Sequence, residues 1–232
     1  MKYKAVFFDA GNTLLRPFPS VDHVCAEVFA RNGYHIDSVI LKEAITAGDS
    51  YYEERYWQDD TFWRSEGEAA ALWIDIYTLV ARKVGINGDR RRIAKEIYGE
   101  FGFHYRWELF PDVESTLKEL YVLGLKVGIV SNWDSRLSDL CFGIGITDYL
   151  EFVMSSAVVG KMKPQPEIFN MALDRVRVKP HEALHVGDHY YADVLGARSA
   201  GITPILIHRN NDNLKADCET INNLGDLLNI VR

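Results

Sequence analysis

The sequence predicts an α/β protein in which a parallel β-sheet carries flanking helices and an all-α segment is inserted directly after the first strand. The apolar run at residues 5–8 has no polar break, which is typical of a strand buried on both faces of a parallel sheet. From Phe110 onward, short apolar runs alternate with segments of helical periodicity. This alternation favours right-handed crossovers between parallel strands, and the long helical stretch before it is then an insertion.

The composition is that of a soluble globular protein. The 232 residues are 47% hydrophobic and 25% charged, enough for one large domain or two modest ones. A net charge of −7 without a long basic block argues against a nucleic-acid partner or an anionic membrane surface. The 3 cysteines lie far apart without metal-ligand spacing, which favours a reducing compartment, and no long apolar run is present. We therefore expect a cytoplasmic protein, a monomer or homodimer, that binds neither nucleic acid nor membrane.

Residues 16–19, with two prolines, break regular structure at the start of the inserted segment, and the rest of the segment has helical spacing. Ser20 is a predicted N-cap, and Gly33 and Gly85 are predicted helix stops. We expect residues 16–104 to form a helical cap domain, and residues 1–15 with 105–232 to form the core domain. The aromatic side chains of the insertion are expected mainly to build the core of the helical bundle, with a few at a substrate entrance: Tyr51, Tyr52, Tyr56, Trp57, Phe62, Trp63, Trp73 and Tyr77.

The predicted elements of the core follow in order along the chain. A helix at residues 113–123 ends at Gly124, and the next strand occupies residues 126–130. Pro166 suits a first helical turn, because its missing N–H would be unpaired there anyway. The remaining elements are a helix near 135–142, a strand at 152–154, a helix from Pro166, a strand at 183–187, a helix that ends at Ala200, a strand at 204–207 and a terminal helix at 222–230.

Polar residues stand where three of these strands end. Asp9 follows the first strand, Ser131-Asn132 ends the second, and Asp188 ends a later strand, with Asp193 shortly after it. Ligands of open α/β sheets bind outside the carboxyl ends of the strands, so we expect these side chains to converge on one crevice. Asp9 is the candidate nucleophile.

A crevice with several carboxylates requires a balancing positive charge. Carboxylates at hydrogen-bond range repel and raise one another's pKa unless a cation neutralises them. Mg²⁺ accepts oxygen ligands and keeps places for waters and phosphate oxygens. Lys163, in a loop, offers a compact positive charge, and the Ser131 hydroxyl can hold a phosphate oxygen. These residue types indicate chemistry on a phosphate group.

The polar residues belong to four motifs that follow one another along the chain: Phe7-Phe8-Asp9-Ala10-Gly11-Asn12-Thr13-Leu14, Val130-Ser131-Asn132, Lys163-Pro164, and Gly187-Asp188 with Asp193. In this order they resemble the motifs of the haloacid dehalogenase (HAD)-like hydrolase superfamily with a helical cap of the first type (C1). The resemblance extends over nearly the whole chain and implies a Rossmann-like core. The stretches at residues 131–137 and 185–188 further resemble a phosphatase-like branch of small hydrolase-domain proteins.

The resemblance implies a role for each motif residue. Asp9 would attack phosphorus and form an aspartyl-phosphate that water then hydrolyses. Mg²⁺ would be held by Asp9, the backbone carbonyl of Gly11 and Asp188, with Asp193 supporting it through waters. The catalytic Lys163 would neutralise charge, and Thr13, Ser131 and Asn132 would bind the substrate. The substrate would be a small phosphorylated metabolite.

Gly11 departs from the family pattern. Phosphatases of this family carry a second Asp at that position, which protonates the leaving group and activates water. Loss of such a group costs about 10² to 10⁴ in rate. Three interpretations follow: slow hydrolysis, another acid such as His23 or His189, or a leaving group that needs no proton.

Other functions within the superfamily stay open at this point. A dehalogenase would lack the metal-binding carboxylate that Asp188 provides here. A phosphonate-cleaving enzyme would need a cap lysine, for which Lys42 is the candidate. A catalytically slow protein that binds a phosphorylated ligand would keep the site and tolerate Gly11. The complete set of metal-site carboxylates favours a Mg²⁺-dependent phosphatase.

Overall fold

A six-stranded parallel sheet forms the centre of the protein. The structure is a computed structural model, and it describes residues 2–209 and 216–232. The strands lie in the order β5-β4-β1-β6-β7-β8, so the first strand occupies the middle of the sheet. Their bounds are β1 Ala5–Phe8, β4 Lys126–Ser131, β5 Phe152–Ser155, β6 Ala183–Gly187, β7 Thr203–Ile207 and β8 Glu219–Ile221.

The two faces of the sheet bury alternate residues of β1. Val6 and Phe8 belong to one hydrophobic cluster, and Ala5 and Phe7 belong to another. All four are fully buried, as expected for the period of two along a strand between two layers of helices. The core helices are α5 Val113–Val122, α6 Leu137–Ile144, α7 Ser156–Val159, α8 Pro166–Val176, α9 Gly196–Ser199 and α10 Leu227–Val231. This is the α/β Rossmann-like architecture that the sequence predicts.

Four long helices lie between two short strands that pair with each other. The cap helices are α1 Val21–Arg31, α2 Ser38–Gln58, α3 Glu66–Lys83 and α4 Arg90–Glu100. The strands β2, Leu15–Pro17, and β3, Trp107–Leu109, form an antiparallel ribbon at the two ends of this segment. The sequence predicts a break in regular structure at residues 16–19, before the N-cap Ser20, and the structure has the strand β2 at the start of this break because β2 finds its partner far along the chain. The division into two domains at residues 16–104 stays a prediction.

The core also differs from the predicted elements in detail. The short strands β2, β3 and β8 and the short helix α7 were not expected. The terminal helix begins at Leu227 rather than at residue 222, and the segment Tyr190–Leu195 is π-helical. Within the residues that the structure describes, every helix is too short or too polar to cross a membrane.

Candidate active site

Asp9 lies at the carboxyl end of the central strand. Its backbone N–H donates to the carbonyl of Val186 at 2.9 Å, which continues the pairing of β1 with β6. Its side chain accepts a hydrogen bond from Ser131 Oγ at 2.9 Å, from the end of the neighbouring strand β4. The parallel register therefore brings together residues that are far apart in sequence, as the sequence predicts.

Lys163 is buried between two carboxylates. Its Nζ lies 2.5 Å from Asp9 Oδ1 and 2.6 Å from Asp193 Oδ1, and only 1% of the residue is exposed. Burial alone lowers the pKa of Lys163, but the attraction of Asp193 and Asp9 outweighs burial and raises it above its usual value. Asn132 fixes the lysine backbone, because its amide donates to Lys163 O at 2.9 Å and accepts from Lys163 N at 2.8 Å. The amide of Asn132, which we expected at the substrate, is thus engaged in positioning Lys163.

Asp193 is the most heavily hydrogen-bonded carboxylate of the site. Besides Lys163, it binds His185 Nε2 at 2.8 Å and the backbone N–H of His189 at 3.0 Å. Burial raises the pKa of Asp193, but Lys163 and His185 outweigh burial and hold it below its ordinary value. Burial lowers the pKa of His185, and its Nε2–H donates to Asp193 because an ionised carboxylate can only accept. A Cβ at Gly187 would lie 2.1 Å from Asp193 Cγ, which explains why glycine precedes Asp188.

Three carboxylates form a group that fits a divalent cation. Oxygens of Asp9, Asp188 and Asp193 all lie within 4.8 Å of one another. Burial, and then repulsion from Asp9 and Asp193, raises the pKa of Asp188 to about 8. Thr13 Oγ1 donates to Asp188 Oδ1 at 3.3 Å and so supports this group. The oxygen-only donor set and the excess negative charge match the preferences of Mg²⁺.

Gly11 lies beside Asp9 under an indole ring. A Cβ built on Gly11 would lie 3.2 Å from Trp133 Cζ3, so a side chain there requires the ring to shift by a few tenths of an ångström. Gly11 itself lies outside the left-handed region, whereas Asn12 has a φ of 52°. The backbone therefore tolerates other residues at position 11, and the constraint on this position is steric.

A cavity of about 770 Å³ opens above these residues, between the sheet and the cap helices. The expectation that the cap aromatics serve mainly as bundle core is only partly right. Tyr56, Phe62 and Trp63 are buried in a cluster with Met162, from the loop that carries Lys163. The cavity itself is lined by six of the eight predicted aromatics: Tyr52, Tyr56, Trp57, Trp63, Trp73 and Tyr77.

The candidate replacements for the missing acid differ in position. His189 lines the cavity, but its Nδ1 accepts a hydrogen bond from Ala192 N at 3.1 Å, and burial lowers its pKa. His23 is exposed on α1 and lies 3.1 Å from Glu27. Of these two histidines, His189 alone is near the carboxylates. Lys42, the candidate lysine of a phosphonate-cleaving enzyme, is exposed on α2 and lies outside the cavity lining.

Sequence reasoning missed a second group of polar residues at the cavity. The Asp134 carboxylate accepts from Arg136 Nη2 at 2.6 Å, from the backbone N–H of Arg136 at 3.1 Å and from Tyr98 Oη at 2.9 Å. The N-cap position of α6 is Arg136. The signal for these residues was their place directly after Ser131-Asn132, since residues that follow a strand end face the same crevice.

Comparisons with known proteins show the family of the chain. A family model described as haloacid dehalogenase-like hydrolase matches residues 3–201. Haloacid dehalogenase-like hydrolase domain-containing protein 3 of Mus musculus is 28% identical over 89% of this chain and 82% of its own length. The glyceraldehyde 3-phosphate phosphatase of Methanopyrus kandleri is 31% identical over 99% of this chain and 97% of its own.

A solved structure shares the whole fold. A HAD-hydrolase from Bacillus subtilis, bound to magnesium, has a TM-score of 0.82 and 17% identity over 100% of both chains, a likeness that concerns the fold alone. The family model, by contrast, matches well over half of the chain and includes all four motifs in full. The protein therefore belongs to the haloacid dehalogenase-like hydrolase family.

Proposed function

We propose that this hydrolase is a Mg²⁺-dependent phosphomonoesterase that acts on a small phosphorylated metabolite through an aspartyl-phosphate on Asp9. The observation that carries the proposal is the placement of Asp9, at the carboxyl end of the central strand beside Lys163, Asp188 and Asp193. The Methanopyrus relative, whose name denotes a phosphatase of a small phosphate ester, supports it.

The geometry around Asp9 suits attack on phosphorus. Ser131 and Lys163 both donate to Oδ1, and among the described residues Oδ2 has no hydrogen-bond donor. Oδ2 is thus the oxygen that attacks, while Lys163 balances the charge of the reacting groups. Asp9, Asp188 and the Gly11 carbonyl would hold Mg²⁺, which when bound supplies charge neutralisation between the nucleophile and the phosphate oxygens.

The cap helices favour small substrates. The cavity lies between them and the sheet, with Asp9 and Lys163 among its lining residues. Helices that lie over the reacting groups restrict the access of large phosphoproteins and reduce contact with bulk water.

A second candidate function is slow turnover, with the protein acting chiefly as a binder of a phosphorylated ligand. Gly11 favours it, because the position of the usual acid carries no side chain. The retained Asp9, Lys163 and Asp188 oppose it, since a binding protein requires no nucleophile.

The proposal is tested by phosphate release from a panel of phosphorylated metabolites, with Mg²⁺ and with chelator. We expect turnover only with Mg²⁺, and we expect Asp9→Asn to abolish it without loss of folding, because the change removes the nucleophile and keeps the volume. Asp174→Asn, an exposed position on α8, is the matched control. Turnover that survives both the chelator and Asp9→Asn would refute the mechanism. Tight binding of phosphate esters without turnover would favour the second candidate.

A further inference from the structure

The cavity above Asp9 is predominantly aromatic. Ten of the side chains that line it are Trp, Tyr or Phe, and they include all 5 tryptophans of the sequence. Its volume of about 770 Å³ lies in the range of pockets that hold drug-sized ligands, well above the needs of a three-carbon ester. The cavity therefore has room for a leaving group that contains a ring.

Six of these rings form a continuous row from the cap helices to Gly11. Tyr52 stacks on Trp73, Trp73 on Tyr77, and Tyr77 on Phe101, with centroids 5.5, 6.0 and 5.9 Å apart. Phe101 then meets Trp107 at 5.8 Å, and Trp107 meets Trp133, the ring above Gly11, at 4.9 Å. We call these six side chains the aromatic row. A leaving group that extends from a phosphoryl group at Asp9 would meet this row first at Trp133, the ring beside Gly11.

The charges of the cavity oppose an anionic leaving group. Lys163 is paired with Asp9 and Asp193. Arg136 is paired with Asp134, and its guanidinium lies 4.0 Å from the centroid of the Tyr98 ring. Both positive side chains of the lining are thus already neutralised.

Two carboxylates of α2 also line the cavity, and neither is neutralised. Asp49 and Glu53 stand one helical turn apart, and no ion pair forms at either of them among the described residues. Both carboxylates are exposed to solvent, and partial burial, followed by the charge of Glu53, raises the pKa of Asp49. Carboxylates and aromatic faces together attract cations.

The absence of an acid at position 11 also favours an aromatic leaving group. A phenolic oxygen leaves phosphorus with little help from a proton donor, whereas an alkyl oxygen depends on one. An aryl ester is therefore the substrate that loses least from Gly11.

We propose that the cavity selects phosphomonoesters whose leaving group is an aromatic ring without negative charge, and that it prefers a positively charged substituent on that ring. This inference rests on the phosphatase function proposed above. The aromatic row holds the ring, and Asp49 and Glu53 hold the positive charge.

Three aryl phosphates with similar phenols test the proposal: O-phosphotyramine (cationic), para-ethylphenyl phosphate (neutral) and the phosphate ester of para-hydroxyphenylpropionate (anionic). We expect kcat/KM to fall in that order, by about 10-fold from the cationic to the anionic ester. O-Phosphoserine should be slower than all three. Preference for the anionic ester or for O-phosphoserine would overturn the proposal.

Substitutions on α2 test whether Asp49 and Glu53 cause the preference for the cationic ester. Asp49→Asn and Glu53→Gln should each lower the ratio of kcat/KM for the cationic ester to that for the neutral ester. Glu43→Gln, an exposed position of α2 outside the cavity lining, should keep the ratio of the unmodified protein. An equal ratio in all four proteins would contradict the role of Asp49 and Glu53.

Binding of the free phenols separates this inference from the proposed function. Tryptophan fluorescence reports on the cavity, because all 5 tryptophans line it. We expect tyramine to bind more tightly than para-ethylphenol, and para-hydroxyphenylpropionate to bind most weakly. If the phenols bind in this order while no ester is hydrolysed, the phosphatase function fails and the cavity inference stands. If the esters are hydrolysed but the phenols show equal affinities, the cavity inference fails and the phosphatase function stands.

Discussion

Gly11 is the residue at which this chain departs from the phosphatases that it resembles. Its backbone lies outside the left-handed region, so an aspartate there meets no conformational barrier. The obstacle is Trp133, whose Cζ3 would lie 3.2 Å from the new Cβ. Trp133 in turn packs against Trp107, which limits how far it can shift. Whether position 11 accepts an acid therefore depends on the movement of one indole ring.

We expect Gly11→Asp to accelerate hydrolysis of alkyl phosphates by about 10-fold while aryl phosphates gain little, because a general acid helps in proportion to the proton demand of the leaving oxygen. The measurement is kcat/KM for alkyl and aryl esters. Gly11→Asn is the control, since the Asn side chain has the same size as that of Asp but cannot transfer a proton to the leaving oxygen. Equal effects of the two variants would assign the change to Trp133 rather than to acid catalysis.

A second prediction at a single residue concerns pH. The pKa of Asp188 is raised to about 8 from 3.8, first by burial and then by Asp9 and Asp193. Between these values the folded state binds more protons than the unfolded chain, so its stability falls as the pH rises through this window. We expect the Tm of chelator-treated protein to decrease between about pH 5 and about pH 8, and Asp188→Asn to remove most of that decrease. Parallel curves of Tm against pH for the two proteins would contradict this assignment.

Among the elements, the π-helical segment Tyr190–Leu195 determines where Asp193 points. Short π-helical turns are common at functional sites, because they redirect a side chain. His189 is the N-cap of this segment, and its Nδ1 accepts from the backbone N–H of Ala192. In addition, the backbone N–H of His189 donates to the Asp193 carboxylate. His189 is therefore a capping residue of the segment as well as a neighbour of the carboxylates.

Loss of this cap should destabilise the protein. We expect His189→Ala to lower the free energy of unfolding by about 1 kcal/mol, and His189→Asn, which retains an acceptor, to lower it by less than half of that. Chemical denaturation measures both. If instead the two variants keep full stability and both lose alkyl-ester hydrolysis alone, His189 is the missing acid rather than a cap.

The elements also show which parts of a fold can be predicted from local sequence. The buried strands and the helix beginning at Pro166 have strong local signals, and the structure confirms them. The strands β2, β3 and β8 have 3 residues each and exist only because a partner strand lies beside them. Periodicity in the sequence therefore could not predict that β2 begins at Leu15, because three residues are too few to show a pattern.

For the whole molecule, the chain order of the motifs was sufficient to predict the convergence of Asp9, Ser131, Lys163 and Asp188, because parallel strands present their carboxyl ends at one edge. The engagement of Asn132 with the Lys163 backbone could not be predicted, since an amide has both donors and acceptors and the choice depends on loop geometry. The sequence also could not predict which cap aromatics line the cavity, because the same aromatic residue types occur in protein cores and in cavity walls.

The central claim for the whole molecule is that Asp9 becomes phosphorylated during turnover. The measurement is a rapid acid quench during hydrolysis of an aryl phosphate, followed by peptide mapping by mass spectrometry. We predict one phosphoryl group on the peptide that contains Asp9, present with Mg²⁺ and absent in Asp9→Asn. Sustained turnover with an unmodified Asp9, or a phosphoryl group on a different residue, would contradict the account.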